Sequence, residues 1–254
     1  MSHSITTQPA ISHALPNELQ GRTVVIFGGT SGIGLAAAIQ ANAAGAEVIV
    51  IGSNAERAKL AAEEHKLAGW RAADVTDSEA VYAALADIPQ VDHLVLLAGT
   101  FVAGKVLDAE ISYLRQAFEE RIWASVHAIR ALGDRLSENG SITFISGSLS
   151  DRPNAYGTAV LGAASAAMEA LARGLALELA PIRVNTLAPG PINTPILSKA
   201  MGEGRDAFIT ALEQSLPLHR LGTATEAGAA AVFLMTNTFM NGAILNIDGG
   251  SRLI

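Results

Sequence analysis

The sequence predicts an α/β fold, a single doubly wound (Rossmann-type) parallel sheet with helices on both faces. Three observations lead to this prediction. Short apolar runs alternate with alanine-rich runs, most of the apolar runs are continuous, and residues 22–34, RTVVIFGGTSGIG, join a strand to a helix through glycines. Strands that are apolar on both sides belong in a parallel sheet covered by helices. Such sheets bind ligands at the carboxyl ends of their strands.

The elements follow from local patterns. Strands are predicted at 24–27, 47–51, 70–74, 92–97, 140–145, 182–187 and 243–247, where apolar and β-branched residues cluster. Helices are predicted at 35–44, 55–66, 77–85, 110–133, 159–180 and 225–235, where apolar residues recur at helical spacing. Turns such as Pro189-Gly190-Pro191 and Asp248-Gly249-Gly250 separate them. Residues 194–221 have no clear period and are predicted to form a substrate lid.

Composition and charge exclude several classes of function. The chain has 254 residues, of which 50% are hydrophobic and 16% charged, enough for the core of one domain. Its formal charge of −7 argues against a nucleic-acid partner, which requires a basic face. There is no cysteine, and the six histidines have no ligand spacing, so we expect no metal site and no thiol chemistry.

The N-terminal segment and the lengths of the apolar runs bear on domain organisation and location. Residues 1–20 are polar and lack the basic and apolar regions of a secretory signal, so we predict a flexible tail followed by one domain at 21–254. No apolar run is expected to cross a membrane. We therefore expect a cytoplasmic protein without a membrane partner.

The glycine-rich turn is a candidate phosphate site. Glycines let a backbone approach a pyrophosphate, and the start of a helix offers unpaired N–H groups at the positive end of its dipole. The candidate residues are Gly28, Thr30, Ser31, Gly32, Ile33 and Gly34. Taken alone, this run is also compatible with a tight connection that binds nothing.

From residue 20 to 254 the chain resembles the short-chain dehydrogenase/reductase family. The matching motifs are FGGTSGIG at 27–34, Asp74-Val75, Ala98-Gly99, LALEL at 175–179, IRVN at 182–185, PGPINT at 189–194 and IDGG at 247–250. The resemblance implies a nicotinamide cofactor. It implies adenine contacts for Asp74 and Val75, nicotinamide contacts for Ile192 and Thr194, and further cofactor contacts for Ala98, Gly99, Pro189 and Gly190.

The end of the second predicted strand favours NADP(H), with NAD(H) as the alternative. In these folds a carboxylate at that end binds the ribose 2′-hydroxyl and repels a 2′-phosphate. This chain has Gly52, Ser53 and Asn54 there, without an acid, and Arg57 follows one helical turn later. A second interpretation remains open, in which Ser53 and Asn54 only cap the next helix.

The resemblance fails at the acid/base pair. Active members of the family have a serine, a tyrosine thirteen residues later and a lysine four residues beyond the tyrosine. Counted back from LALEL, the tyrosine position holds Leu161 and the lysine position Ser165, while Ser148 keeps the serine. Tyr156 is a weaker match, because the residue four positions later is Val160. Because the chain lacks the acid/base residues but keeps the other motifs, it resembles a divergent branch of the family.

Ser148 and Arg121 are the candidate catalytic residues. Arg121 stands where the family has an asparagine on the long helix; its cation would stabilise an oxyanion, and Ser148 would hydrogen-bond the substrate oxygen. Glu169 is predicted to pair with Arg121; the pair would either hold the cation for catalysis or simply join two helices.

We therefore predict an NADP(H)-dependent reductase of a small apolar carbonyl, enone or imine, with an atypical active site. A binding protein without turnover, acting as a sensor or partner subunit, is the alternative, and non-redox chemistry in the same pocket is a third possibility. The long helices at 110–133 and 155–180, with small residues at 162–167, resemble those that pair between subunits of the family. This resemblance implies a homodimer or homotetramer.

Overall fold

The structure is a computed structural model that describes residues 18–197 and 205–254. Its strands are β1 (Thr23–Phe27), β2 (Glu47–Gly52), β3 (Gly69–Ala72), β4 (Val91–Leu96), β5 (Leu136–Ile145), β6 (Arg183–Pro189), β7 (Ile192–Asn193), β8 (Gly222–Thr223) and β9 (Ile244–Ile247). Seven of them form one parallel sheet in the order β3-β2-β1-β4-β5-β6-β9, and β7 pairs with β8 separately. This sheet confirms the predicted fold class.

Helices cover both faces of the sheet. They are α1 (Gly32–Ala43), α2 (Ala55–Glu64), α3 (Ser78–Leu85), α4 (Ile111–Phe118), α5 (Ala124–Leu132), α6 (Ala159–Glu178), α7 (Arg205–Ser215) and α8 (Ala224–Thr236). Val25 and Phe27 pack on the α3, α5 and α6 side, whereas Val24 and Ile26 pack on the α1 and α8 side. Since successive side chains of a strand point to opposite faces, burial on both faces explains why β1 is apolar without alternation.

The carboxyl ends of the strands align at one edge. Phe27 pairs with Ile51 of β2 and with Leu96 of β4, so these three strands end at the same level. Beyond them, the N–H of Gly28 donates to the carbonyl of Ile51 at 2.8 Å. The segments that follow the strands are therefore brought to a common edge, as the fold class requires for ligand binding.

The long helix predicted at 110–133 is interrupted. A π-helical turn, Glu119–Trp123, separates α4 from α5, so the predicted single α-helix is wrong at its centre. Such a turn widens the backbone by one residue and is frequent at functional sites. The apolar spacing did not reveal it because both flanking helices keep apolar residues at helical intervals.

Two boundaries also differ from the prediction. Leu19 is 2% exposed and its N–H donates to the carbonyl of Ala44 at 3.0 Å, so the folded domain begins before residue 21. Residues 1–17 of the predicted tail lie outside the described residues. The predicted lid at 194–221 contains α7, and its residues 198–204 also lie outside them.

By length and apolar composition, α6 is a helix that could cross a membrane, contrary to the prediction that no run would qualify. It is one core helix of this fold, with residues such as Leu161, Met168 and Ala172 buried against the rest of the domain. A buried core helix meets the same length and composition criteria, so this feature alone is weak evidence for a membrane span.

Candidate active site

Gly28 and Gly34, in the turn after β1, have no room for a side chain. Gly28 has a φ of +76°, and a Cβ on it would lie 2.9 Å from the backbone nitrogen of Ala98. A Cβ on Gly34 would overlap the carbonyl oxygen of Gly28. Glycine therefore allows the turn to close tightly against the start of α1, and the turn presents backbone to the carboxyl edge of the sheet.

The N-terminus of α1 is suited to an anion. Ser31 is its N-cap residue, but the Ser31 side chain forms no capping hydrogen bond within the described residues, and the first turn holds no acidic residue. By contrast, α2 is capped by Asn54 and α3 by Asp77. The first N–H groups of α1, including that of Ile33, are left to a ligand or water, and the helix dipole favours a negative group there. This arrangement fits the phosphates of a dinucleotide.

Two threonines predicted to contact the cofactor lie against the turn. A Cβ on Gly52, at the end of β2, would lie 2.7 Å from Cγ2 of buried Thr30, so Thr30 packs directly over that strand end. On the other side, the Cγ2 atom of Thr194 lies 3.4 Å from the Cβ position of Gly32. The structure thus brings the turn, the end of β2 and the segment after β7 together.

The segment from Pro189 to Ile192 is held by neighbouring backbone. Pro189 ends β6, and the Cβ position of Gly190 lies 2.7 Å from Cα of Asp248, which leaves no space for a side chain. Ile192 is buried and pairs with Gly222. These contacts fix the path of the backbone in the segment that is predicted to contact the nicotinamide.

At the end of β2, Asn54 has a structural role. Its Oδ1 accepts a hydrogen bond from the backbone N–H of Arg57 at 2.8 Å and so caps α2. The capping interpretation is correct for Asn54, but it leaves the exposed Ser53 and Arg57 side chains unassigned. The Arg57 guanidinium forms no ion pair with any described residue. It therefore remains a candidate for a 2′-phosphate.

The predicted adenine residues follow β3. Asp74 is exposed, and its Oδ1 accepts from the backbone N–H and the hydroxyl of Thr76 at 2.9 and 2.8 Å, which stabilises the turn before α3. Val75 lines a small cavity together with Ala98 and Arg121. Val75, Ala98 and Arg121, which are far apart in sequence and were predicted to belong to the site, thus line the same cavity.

Arg121 lies in the π-helical turn and packs against the loop that follows β4. Its Cζ is 3.1 Å from the Cβ position of Gly99, and its Nη2 donates to the carbonyl of Thr100 at 2.9 Å. The side chain is only 11% exposed, and this burial lowers the pKa of the guanidinium, while Glu120 opposes the shift. Because an arginine remains protonated in proteins, Arg121 is a poorly hydrated cation at the carboxyl edge.

Glu120 is a residue that sequence reasoning missed. Its carboxylate accepts from the backbone N–H of Thr100 at 2.6 Å and from the Thr100 hydroxyl at 2.9 Å, and it lies 4.0 Å from Nη1 of Arg121. Glu120 thereby ties the turn after β4 to the π-helical turn. Nothing in the local sequence distinguishes it from the neighbouring Glu119, because its partner lies twenty residues earlier.

The predicted pairing of Glu169 with Arg121 is wrong. The Ser146 hydroxyl, just after β5, donates to Oε1 of Glu169 at 2.7 Å. Glu169 therefore joins α6 to the end of β5, whereas the carboxylate nearest to Arg121 is that of Glu120, the adjacent residue. Sequence spacing placed both long helices at this edge but did not distinguish between the two acids.

Ser148 begins a single 3₁₀ turn, Ser148–Ser150, that follows β5. It is half-buried, and its hydroxyl has no hydrogen-bond partner in the part of the chain that the structure describes. Tyr156, the weaker match to the family's tyrosine, is 78% exposed and lies before α6. The Ser148 hydroxyl is thus available to a ligand on the loop after β5, the strand next to β4.

The two positions at which the resemblance predicts that the acid/base pair is missing hold a buried apolar residue and a hydroxyl that is already hydrogen-bonded. Leu161 is 3% exposed and packs with Val102, Leu114 and Ala164. The buried Ser165 hydroxyl donates to the carbonyl of Leu161 at 3.0 Å. Neither residue offers a titratable proton, so any proton transfer at this site requires another group.

Cavities and side-chain clusters elsewhere in the described residues give weaker support for a functional site. A cavity of about 530 Å³ is an open groove beside Trp70 and Lys66 at the beginning of β3, away from the carboxyl edge. Within residues 18–197 and 205–254 there is no cluster of His, Cys, Asp and Glu that could hold a metal ion. The predicted site residues therefore remain the best candidates for function.

Comparisons with known proteins agree with this geometry. A family model described as Enoyl-(Acyl carrier protein) reductase matches residues 28–252. A short-chain dehydrogenase/reductase of Stachybotrys chlorohalonatus, ATR9, is 31% identical over 258 residues, covering 92% of this chain and 98% of its own. The cyclic-di-GMP-binding biofilm dispersal mediator protein of Escherichia coli is 32% identical over 235 residues, covering 90% and 96%.

A solved structure extends the likeness to the whole fold. A small-chain dehydrogenase in complex with NADPH is 33% identical, superposes with a TM-score of 0.81 and covers 92% of this chain and 100% of its own. The family-model match at residues 28–252 includes the glycine turn, the start of α1 and the loops at the carboxyl edge. This chain is an oxidoreductase-type protein that belongs to the short-chain dehydrogenase/reductase family.

Proposed function

We propose that the protein is an NADP(H)-dependent reductase of a small apolar carbonyl, enone or imine. The observation that carries this proposal is the glycine turn, whose tight backbone leads into a helix N-terminus without a side-chain cap. A related small-chain dehydrogenase has been solved in complex with NADPH, which supports the choice of cofactor. Since fold does not determine function, the proposal also depends on the individual site residues.

The cofactor-binding residues divide by the part of the dinucleotide that they would hold. The turn from Gly28 to Gly34 would hold the pyrophosphate, and Ser53 with Arg57 would hold the 2′-phosphate of NADP(H). Asp74 and Val75 would lie at the adenine, followed by Ala98 and Gly99. Contacts to the nicotinamide half are assigned to Pro189, Gly190, Ile192 and Thr194. A reduced nicotinamide, when bound, supplies the hydride for the substrate carbon.

Arg121 and Ser148 would act on the heteroatom of the substrate. As negative charge develops on the oxygen, the Arg121 cation stabilises it and the Ser148 hydroxyl donates a hydrogen bond. Water supplies the proton that completes the product, because Leu161 and Ser165 cannot. An imine or an activated C=C bond requires less acid assistance than a ketone, so these substrates suit the site best.

Apolar side chains near the Ser148 loop support the proposal of an apolar substrate. Val102, Leu114 and Leu161 form an apolar cluster close to the loop of Ser148, with Leu149 packed against it. We propose that residues around 194–221 form a lid over the substrate. We also propose that the long helices pair in a homodimer or homotetramer, and that the protein acts in the cytoplasm without a nucleic-acid or membrane partner.

Cofactor choice is tested by fluorescence titration with NADPH and NADH. NADPH is expected to bind at least tenfold more tightly, which corresponds to about 1.4 kcal/mol from the 2′-phosphate. Arg57→Ala should remove most of this preference. Lys59→Ala, two residues further along the same helix, is the control and should retain it. Equal binding of both cofactors by the unmodified protein would assign NAD(H) instead.

Turnover is tested by NADPH oxidation with cyclohexanone, cyclohexenone and dihydroisoquinoline. Reduction of the enone or the imine is expected to exceed that of the ketone. Ser148→Ala should lower kcat at least tenfold, since the hydroxyl acts mainly in the transition state. Ser150→Ala, in the same 3₁₀ turn, is the control and should keep at least half of kcat.

A binding protein without turnover is the second candidate. The observation that favours it is the absence of a titratable proton at Leu161 and Ser165, and one relative is named for binding a cyclic dinucleotide. Tight NADPH binding without NADPH oxidation by any of the three probes would support this candidate. Conversion of a probe without a change in nicotinamide absorbance would instead indicate non-redox chemistry.

A further inference from the structure

Arg252, near the C-terminal end of the sequence, is anchored next to the candidate catalytic loop. It lies in the short 3₁₀ turn Ser251–Leu253, and its side chain is only 12% exposed. Its Nε donates to both carboxylate oxygens of Asp151, at 2.9 and 3.0 Å. Its Nη1 donates to Asp248 at 3.3 Å, and its Nη2 to the carbonyl of Gly147 at 3.3 Å. One guanidinium thus holds two carboxylates and a backbone carbonyl.

These contacts fix the loop on both sides of Ser148. Gly147 directly precedes Ser148, and its carbonyl also accepts from the N–H of Ser150 at 3.0 Å. On the other side, the N–H of Arg152 donates to the carbonyl of Ser148 at 2.9 Å, and Nε of Arg152 donates to the carbonyl of Arg252 at 2.8 Å. The C-terminal turn therefore clamps the loop before and after the candidate catalytic serine.

The same segment contacts the nicotinamide side of the site. The backbone of Asp248 lies against Gly190, and the N–H of Gly190 donates to the carbonyl of Ile247 at 3.0 Å. Two residues further on, the Cβ position of Gly250 lies 2.9 Å from Pro217. Asp248 and Gly250 consequently connect the loop of Ser148 to the 189–194 segment and to the end of the proposed lid.

A role in global stability accounts poorly for this arrangement. Asp151 is 57% exposed, and a partly exposed ion pair contributes little to overall stability. The Arg252 guanidinium instead fixes the relative positions of its acceptors, because its planar donors bind several of them at once. The contacts to Asp151 and Gly147 hold the partly exposed loop of Ser148, and the contact to Asp248 lies within the C-terminal segment itself, so local order is the expected consequence.

We propose that Arg252 is a positioning residue, which holds the Ser148 loop in its reactive conformation and makes the C-terminal turn a part of the active site. The proposal rests on the proposed reductase function for its effect on turnover. It also predicts an ordering of residues 146–152 that exists without substrate, and this ordering can be measured separately.

The first test is amide hydrogen exchange of the unmodified protein and its variants, without substrate. Arg252→Ala and Asp151→Asn should each raise exchange at least fivefold in residues 146–152, and Arg252→Lys should fall between them and the unmodified protein. Arg71→Ala removes an ion pair with Asp87 far from this loop and is the matched control, with unchanged exchange there. Unchanged exchange of the loop in Arg252→Ala and Asp151→Asn would overturn the proposal.

The second test is a double-mutant cycle on turnover and binding. Arg252→Ala should lower kcat at least tenfold with NADPH affinity within twofold of the unmodified protein, and Arg252→Lys should restore part of kcat. In a Ser148→Ala background, Arg252→Ala should change kcat less than twofold, because both residues act through one hydroxyl. Equal losses in both backgrounds would overturn the positioning role. If no probe is reduced, the reductase function fails, and the exchange data alone decide the proposal.

Discussion

At the scale of single residues, the site depends on where side chains are absent. Gly34 must be glycine because a Cβ would overlap the carbonyl of Gly28, and this carbonyl belongs to backbone that has no rotamer to adjust. Gly174, on the exposed side of α6, has no atom within 4 Å of its Cβ position. The same substitution therefore has opposite expected outcomes at the two positions.

Gly34→Ala is expected to weaken NADPH binding at least tenfold, about 1.4 kcal/mol, because the turn must open to admit the methyl group. Gly174→Ala should leave binding unchanged and raise the free energy of unfolding by about 0.5–1 kcal/mol, since alanine favours a helix over glycine. Fluorescence titration and urea unfolding measure the two effects. Unweakened NADPH binding by Gly34→Ala would contradict the phosphate role of the turn.

At the scale of elements, the described helices differ in how the N–H groups of their first turns are satisfied. The capping box of α8 satisfies its own first turn, since Glu226 N–H donates to Oγ1 of Thr223 and the Glu226 carboxylate accepts from the Thr223 N–H. Arg220 donates to the same carboxylate and lowers the pKa of Glu226 to about 2. Among the described residues, the start of α1 has no side-chain cap, and neither do α4 and α6, so the ligand proposed at α1 rests on the adjoining glycine turn as well.

Thr223→Ala is expected to lower the free energy of unfolding by about 1 kcal/mol, because an N–H of α8 loses its side-chain acceptor. Thr225→Ala lies in the same helical turn, where the side chain is exposed and caps nothing, and it should change stability by less than about 0.5 kcal/mol. Urea unfolding of both variants is the measurement. Equal losses from the two substitutions would show that the capping box contributes nothing specific.

At the scale of the whole molecule, a buried histidine makes stability depend on pH. His93 in β4 is buried with its Nδ1 2.8 Å from the hydroxyl of Ser141. Burial, reinforced by the cation of Arg183 and opposed by Asp92, lowers the pKa of His93 from 6.5 to about 4. The folded protein thus holds a neutral imidazole, whereas the unfolded chain takes up a proton below its ordinary pKa.

The free energy of unfolding is therefore expected to fall as the pH decreases from about 6.5 to about 4, by at most about 3 kcal/mol from this residue. Urea unfolding across this pH range is the measurement. His93→Asn should remove that part of the pH dependence, whereas His219→Asn, at an exposed position, should retain it. The prediction is wrong if His93→Asn keeps the full dependence of the free energy of unfolding on pH.

Much of the architecture was accessible from sequence because it depends on local periodicity. The strand–helix alternation, the apolar strands and the glycine turn are all visible within short windows, and together they predicted the doubly wound sheet and its binding edge. The family resemblance added the order of the motifs. It also indicated that Leu161 and Ser165 replace the acid/base pair.

The partners of the polar site residues were decided by tertiary structure alone. Arg121 packs against the turn after β4, Glu169 binds Ser146 instead of Arg121, and Arg252 reaches a loop about a hundred residues earlier. The π-helical turn that carries Arg121 also escaped the apolar pattern. Side-chain partners depend on distances between elements that are far apart in sequence, and periodicity within one element contains no information about those distances.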